Sequence, residues 1–238
     1  MNQPPETKCN AAGFSLIELL IAMATTLVML AIASTVLSSA FKIRGKQDAI
    51  TDSLADAQRA LNIMSREIAN AGFNLTDNGI VAGDSATDAN GNSTLRIRSN
   101  LNKFDTSATT GARNGIGTVG EDAGEDVKYF IDEAGNTNLL ARYDAYAVAG
   151  GRSTVLANRL DSLRIHYYSQ KVTYSTTDCD IAGASLAEVT PSAAKYVVLA
   201  VCVQLDAVGA PGGPGYQPAT SVLLASDVAL RNSNLPVY

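Results

Sequence analysis

The chain has 238 residues, with 18 Lys and Arg against 23 Asp and Glu, a formal net charge of −5 and a single histidine. Its 46% apolar and 17% charged content is that of an ordinary folded protein, which excludes wholesale disorder, and the length admits one fair-sized domain plus an extra element. The acidic balance leaves no basic patch from which to argue for nucleic acid, so no nucleic-acid partner is expected.

The apolar residues are unevenly placed. Residues 14–41 hold no proline and one charged side chain, Glu18. About 20 apolar residues suffice to cross a bilayer as a helix, so this run predicts a membrane-spanning segment. A secretory signal would carry a shorter apolar core, a leader more basic than the single Lys8 here, and a small-residue cleavage site. Ala31, Ala33 and Ser34 imitate such a site, but the run is too long for it.

At the head of the run stands Gly13-Phe14-Ser15-Leu16-Ile17-Glu18-Leu19-Leu20. This motif resembles that of the type IV prepilin family: a glycine, a following Phe, and a glutamate at the fifth mature position, all opening an apolar helix. The resemblance implies cleavage between Gly13 and Phe14 by a dedicated membrane peptidase, N-methylation of Phe14, and an assembly role for Glu18. It also implies a single-pass inner-membrane protein with a periplasmic C-terminal domain, later transferred to a pilus at the cell surface. The implied partners are other major and minor pilins, the prepilin peptidase and the inner-membrane assembly platform.

Glu18 has a physical reading of its own. A carboxylate within hydrocarbon costs about 2.5 to 3.5 kcal/mol on insertion scales and calls for a partner. Cleavage would supply one, the new α-amino group of Phe14, protonated near neutral pH with a reference pKa of about 7.7 to 8. Between staggered helices that pairing would set axial register. The alternative is local: Ser15 and Glu18 form an S-x-x-E capping box, which satisfies amides at a helix start. Downstream, Lys42, Arg44 and Lys46 follow the run directly, and the positive-inside rule by itself favours the opposite orientation; the cleavage motif outweighs it.

Beyond the membrane segment, Ile50, Leu54, Ala57, Leu61, Met64, Ile68 and Ala71 alternate at spacings of four and three, marking one face of a continuing helix. Asp48, Asp52, Asp56, Arg59, Asn62, Arg66 and Asn70 lie opposite and read as a solvated face. The helix is expected to end near residue 71, with Gly72 left-handed and Phe73 folding back on Ile68 in a Schellman closure. About 58 helical residues would make a rod of roughly 85 to 90 Å. The segments 57–61 and 66–73 resemble the helix end of PilW-type minor pilins, and Val228-Ala229-Leu230-Arg231-Asn232 resembles the ending of that group.

After Phe73 the pattern turns to short β-rich runs between turn residues. Strands are predicted over residues 94–98, 127–132, 139–143, 162–168, 196–205 and 222–230. Leu163, Ile165 and Tyr167 alternate with Arg164, His166 and Tyr168, as in a half-buried strand, whereas 196–205 is apolar on both faces and reads as a central strand covered on one side by the helix. Residues 132–136 read as a hairpin loop and 209–218 as an exposed Gly/Pro-rich loop. The organisation is therefore a leader (1–13), a transmembrane and filament-core helix (14–44), an amphipathic helix half on the domain (45–73) and a β-rich domain (74–238). The fold class is α+β, and the resemblance implies the pilin fold, a long helix on an antiparallel sheet.

Of three cysteines, Cys9 would leave with the leader, and Cys179 and Cys202 would remain. In an exported domain they are expected to pair, closing a loop of about 24 residues worth roughly 3 kcal/mol in the loop-entropy model. The alternative is two thiols, Cys202 being a small core residue.

No catalytic, cofactor or metal site is expected. His166, the only histidine, reads as an exposed or hydrogen-bonded surface residue without a nucleophile or zinc set. Asp84, Asp88, Asn90 and Asn92 around Gly91 faintly resemble a calcium loop but lack EF-hand spacing and its closing glutamate, so a turn-rich loop is the better reading. The glycines of 111–124 lack phosphate-loop spacing and read as loop. The function implied is structural and not enzymatic: a minor pilin that joins or initiates a type IV pilus. The alternatives are a GspJ-like pseudopilin of type II secretion and a pilus-tip adhesin.

Overall fold

A computed structural model describes residues 15–101, 122–133, 138–148, 150–209, 211–213 and 216–233. Helix α1 runs Leu16–Ala69, 54 residues or about 81 Å. Ser15 is its N-cap with extended backbone, and the Ser15 amide donates to Glu18 Oε2 at 3.0 Å.

The helix stops slightly earlier than its periodicity predicts, and by a different device. Asn70 is the C-cap, and the last turn tightens through amides of Asn70 and Ala71 reaching the carbonyls of Glu67 and Ile68 at 3.1 and 3.0 Å. Gly72 is left-handed as expected, with φ of 75°. Its amide, however, donates to the Arg98 carbonyl at 2.9 Å instead of returning to the helix, so the Schellman closure is not made. Phe73 stays 37% exposed, outside the core. A strand end has outcompeted the helix for that donor.

Among the described residues nine strands follow: β1 Leu95–Arg98, β2 Asp126–Asp132, β3 Leu139–Asp144, β4 Ser153–Asn158, β5 Leu160–Tyr168, β6 Ser175–Thr176, β7 Ile181–Ala182, β8 Tyr196–Leu205 and β9 Thr220–Ala229. They form an antiparallel sheet of order β1-β2-β3-β4, a second of order β5-β8-β9, and a two-residue pair β6-β7. The six predicted strands are all present. β4 was not anticipated, because its burial runs exposed for three residues and shows no alternation to read. The pairing of β2 with β3 fits the hairpin expected at 132–136, although residues 134–137 lie outside the described ones. Within 209–218 the chain closes on itself, Val208 and Gln217 exchanging backbone bonds of 2.9 and 3.0 Å.

The two main sheets share one core with the helix. Ala57, Ala60, Leu61, Met64 and Ile68 of α1 pack with Leu95, Tyr129 and Leu140 of the first sheet and Leu163, Val197, Leu199 and Val201 of the second. The sheets are joined where Ser93, just before β1, donates to Leu163 O at 2.7 Å and its hydroxyl accepts from the Ile165 amide at 3.1 Å. The predicted apolar face of the helix is thus the buried one, Ile50 and Leu54 being partly so. Of the opposite row, Asp48, Asp52, Arg59, Asn62 and Arg66 are exposed, while Asp56 and Asn70 are half-buried.

The far face of β8 is covered as well. Tyr168, Val172, Tyr196 and Val198 form a second buried cluster, against which Tyr174, Ile181, Ala184 and Leu186 of the 169–194 excursion are packed. This explains why β8 is apolar on both faces from Tyr196 to Val203: the helix takes one face and the excursion the other.

Candidate functional site

The first half of α1 has no protein around it. Every residue from 16 to 38 is exposed, with Leu16 at 79% and Met29 at 73% exposure, and the most apolar stretch is long enough to cross a membrane. So large an apolar surface on a single element marks an interaction surface. Most of its hydroxyls bond back to the helix: Thr25 donates to Ile21 O and Ala22 O at 3.0 Å, Thr26 to Met23 O at 2.9 Å, Ser34 to Ala31 O at 3.0 Å and Thr35 to Ile32 O at 2.7 Å. Hydroxyls bonded to the helix's own carbonyls lower the cost of placing them in lipid.

Gly13 and Phe14, the expected cleavage pair, lie outside the described residues. Glu18 sits exposed in the first turn, and its carboxylate accepts the Ser15 amide, the local capping interaction.

Cys179 and Cys202 are joined in a disulfide with Cα atoms 5.1 Å apart, so the alternative of two separate thiols is set aside. Cys202 is fully buried in β8, and the bond fastens the excursion to the sheet. Asp161 brings a carboxylate oxygen within 4.8 Å of the two sulfurs. With the sulfurs spent on each other, this trio is no metal centre.

His166 of β5 is a structural clamp. Its Nδ1 meets Glu188 Oε1 and its Nε2 meets Asp180 Oδ1, both at 2.7 Å. Both carboxylates belong to the excursion, as does Tyr174, whose hydroxyl donates to Asp227 Oδ1 of β9 at 2.5 Å. Burial and then the Asp227 carboxylate push the neighbouring Tyr196 hydroxyl up to about 12.

The acidic loop is tied down by its own hydrogen bonds and ion pairs. Asp84 pairs with Arg96 at 2.6 Å and Lys128 at 3.5 Å, and the Arg96 hydrogen bond holds its carboxyl below the usual range. Asp88 Oδ1 accepts the amides of Asn90 and Asn92 at 2.9 and 2.8 Å, and both asparagine side chains donate to Glu133. Asp126, nearly inaccessible, takes two bonds from Arg96 at 2.7 and 2.8 Å and one from Arg98 at 3.1 Å. The glycine-rich segment read as loop lies mostly outside the described residues.

Two features were missed by sequence reasoning. Glu67, in the last turns of α1, accepts from Arg142 Nε and from the buried Tyr129 hydroxyl, locking the helix onto β2 and β3. Burial, reinforced by the Glu67 charge, raises the Tyr129 hydroxyl far above its ordinary value. Lys46, read as one of three flanking cations, is only 8% exposed, and its ammonium donates to the Pro218 carbonyl at 3.3 Å. No family model, curated protein or solved structure matches this chain.

Proposed function

We propose that this chain is the precursor of a type IV pilin-like subunit, most akin to a minor pilin. The observation that carries the reading is the division of α1: an apolar half with every side chain exposed, opening on Ser15 and Glu18, and a second half buried in the domain. Such a half-helix needs lipid around it first and, in a filament, the apolar helices of other subunits. On this reading cleavage between Gly13 and Phe14 frees the helix for extraction, Phe14 is N-methylated, and the α+β body is a pilin domain delivered to the periplasm. The partners are other pilins, the prepilin peptidase and the inner-membrane assembly platform; the role is structural, without catalysis or a cofactor.

The test is mass spectrometry of the mature N-terminus from membranes of cells carrying a type IV assembly system. A chain beginning at N-methylated Phe14 is expected. A start between residues 31 and 37, or a retained leader in those cells, overturns the assignment. Deleting the gene and assaying surface filaments beside protein secretion then separates a pilus subunit from a pseudopilin.

A further inference from the structure

We infer that a cavity where the helix leaves its apolar stretch receives the phosphodiester headgroup of an anionic phospholipid. The inference rests on the membrane-anchored reading above. The cavity, about 260 Å³, is walled by Ala49, Ile50 and Leu205, with Lys46, Arg159 and Asp206 as its charged groups.

Three observations point to this occupant. The first is position. Residues 16–41 rise about 39 Å along the axis. A hydrocarbon core is about 30 Å thick and a bilayer with headgroups about 40 to 45 Å, so the turn from Lys42 to Lys46 and the mouth beside it fall at headgroup depth. The second is charge. Lys42, Arg44 and Arg159 are exposed and make no ion pair among the described residues. Lys46 is nine-tenths buried, and its single hydrogen bond among those residues, to Pro218 O at 3.3 Å, occupies one of three ammonium donors. Asp206 offsets one of these positive charges and leaves the site cationic. The third is construction. Arg159 holds φ of 57°, a left-handed backbone uncommon for a residue with a side chain, at the one-residue corner between β4 and β5. Its amide-linked carbonyl is fixed by the Gln204 amide at 3.0 Å. The apolar walls suit the glycerol and first acyl carbons, and the two cations suit the phosphate, a combination that free phosphate in solution does not need.

The experiment uses the full chain. Flotation with neutral phosphatidylcholine vesicles first reports anchoring. Native mass spectrometry of the detergent-solubilised protein then compares retention of phosphatidylglycerol with phosphatidylcholine, in wild type, Arg159→Asn and a distant control, Lys171→Asn. Asn tolerates the left-handed backbone, so the corner is kept. Each basic group near a lipid surface contributes about 1 kcal/mol, so Arg159→Asn is expected to cut the anionic preference about fivefold, with Lys171→Asn unchanged. Equal retention of the two lipids, an unaltered preference in Arg159→Asn, or an equal fall in Lys171→Asn overturns the site while flotation keeps the anchor. Failure to float removes the anchor and the lipid site together. Inorganic phosphate displacing phosphatidylglycerol as readily as added phosphatidylglycerol does would assign the cavity to a free anion and overturn the lipid.

Discussion

A Cβ placed on Gly79 would lie 2.1 Å from the amide nitrogen of Gly72 and 2.3 Å from the Arg98 carbonyl oxygen. Both glycines have left-handed φ, 75° and 74°, and the Gly72 amide bonds to that same carbonyl. The end of the long helix is thus fitted against the sheet through a contact only two bare backbones can make. Gly79→Ala combines overpacking against backbone, typically about 1 to 3 kcal/mol, with left-handed strain of similar size. A loss of about 2 to 5 kcal/mol is expected in denaturant unfolding of the domain. Gly83→Ala, where an added Cβ meets nothing within 4 Å, should stay within about 0.5 kcal/mol of wild type.

Glu67 links the same helix end to Arg142 and Tyr129, with side chains 24% and 17% exposed for the ion pair. Glu67→Leu leaves Arg142 only its 3.5 Å contact with Asp144 and takes the acceptor from the buried Tyr129 hydroxyl, and removing one partner of such a pair costs more than removing both. The expectation is a loss of about 2 to 3 kcal/mol for Glu67→Leu, partly recovered in Glu67→Leu with Arg142→Met. A double-mutant cycle on urea midpoints reads this; additivity of the two changes would mean that the pair is not coupled.

Much of this architecture was legible because it repeats. Seven apolar positions at spacings of four and three identified the buried face of α1, and alternation or continuous apolarity identified six strands. What was not legible depends on partners distant in sequence. Gly72 closes on Arg98 and not on its own helix, β4 is mostly exposed and carries no periodic signal, and Lys46 is buried only because Pro218 comes to meet it. Parity suggested the disulfide, but its purpose, fastening the excursion across the outer face of β8, required the topology. Of the candidate processing and assembly residues, Glu18 is placed in the structure, bonded to the Ser15 amide.

That fastening makes a prediction. Cys179→Ala with Cys202→Ala removes a loop constraint worth about 3 kcal/mol in the entropy model. The His166 clamp and the Tyr174 to Asp227 bond remain, so the domain should fold while the excursion opens more often. Limited trypsin digestion should cut the double variant after Lys171 well before oxidised wild type. Equal cutting rates would show that the His166 clamp and the packed tyrosines hold the excursion without the disulfide.

The same tyrosines set an alkaline limit. Burial and Asp227 raise Tyr196 to about 12 from an unfolded value of 10.0, so the fold favours its neutral hydroxyl. That contribution is complete below pH 10 and is lost as pH rises from 10 through about 12. Thermal midpoints should therefore fall across this window, in step with tyrosinate absorbance. Tyr196→Phe should flatten part of the slope, and an unchanged slope would assign the loss to other groups such as Tyr129.

Glu18 is the residue on which two readings part. In the isolated chain its carboxylate accepts the Ser15 amide at 3.0 Å, which is capping and requires only an acceptor. Gln serves the capping box as well as Glu does, whereas Ala abolishes it. Pairing with a protonated Phe14 amine requires the negative charge, because a neutral amide gives far less against an ammonium in a low-dielectric setting. The two variants, beside wild type, therefore separate the roles. If charge sets register between subunits, Glu18→Gln and Glu18→Ala should both be cleaved after Gly13 and both fail to enter filaments, falling at least roughly tenfold, the equivalent of about 1.4 kcal/mol. If capping is the whole function, Glu18→Gln should assemble like wild type and only Glu18→Ala should fail. Immunoblots of sheared filaments, normalised to processed protein in the membrane, decide between them, and assembly by Glu18→Ala at the wild-type level would remove both.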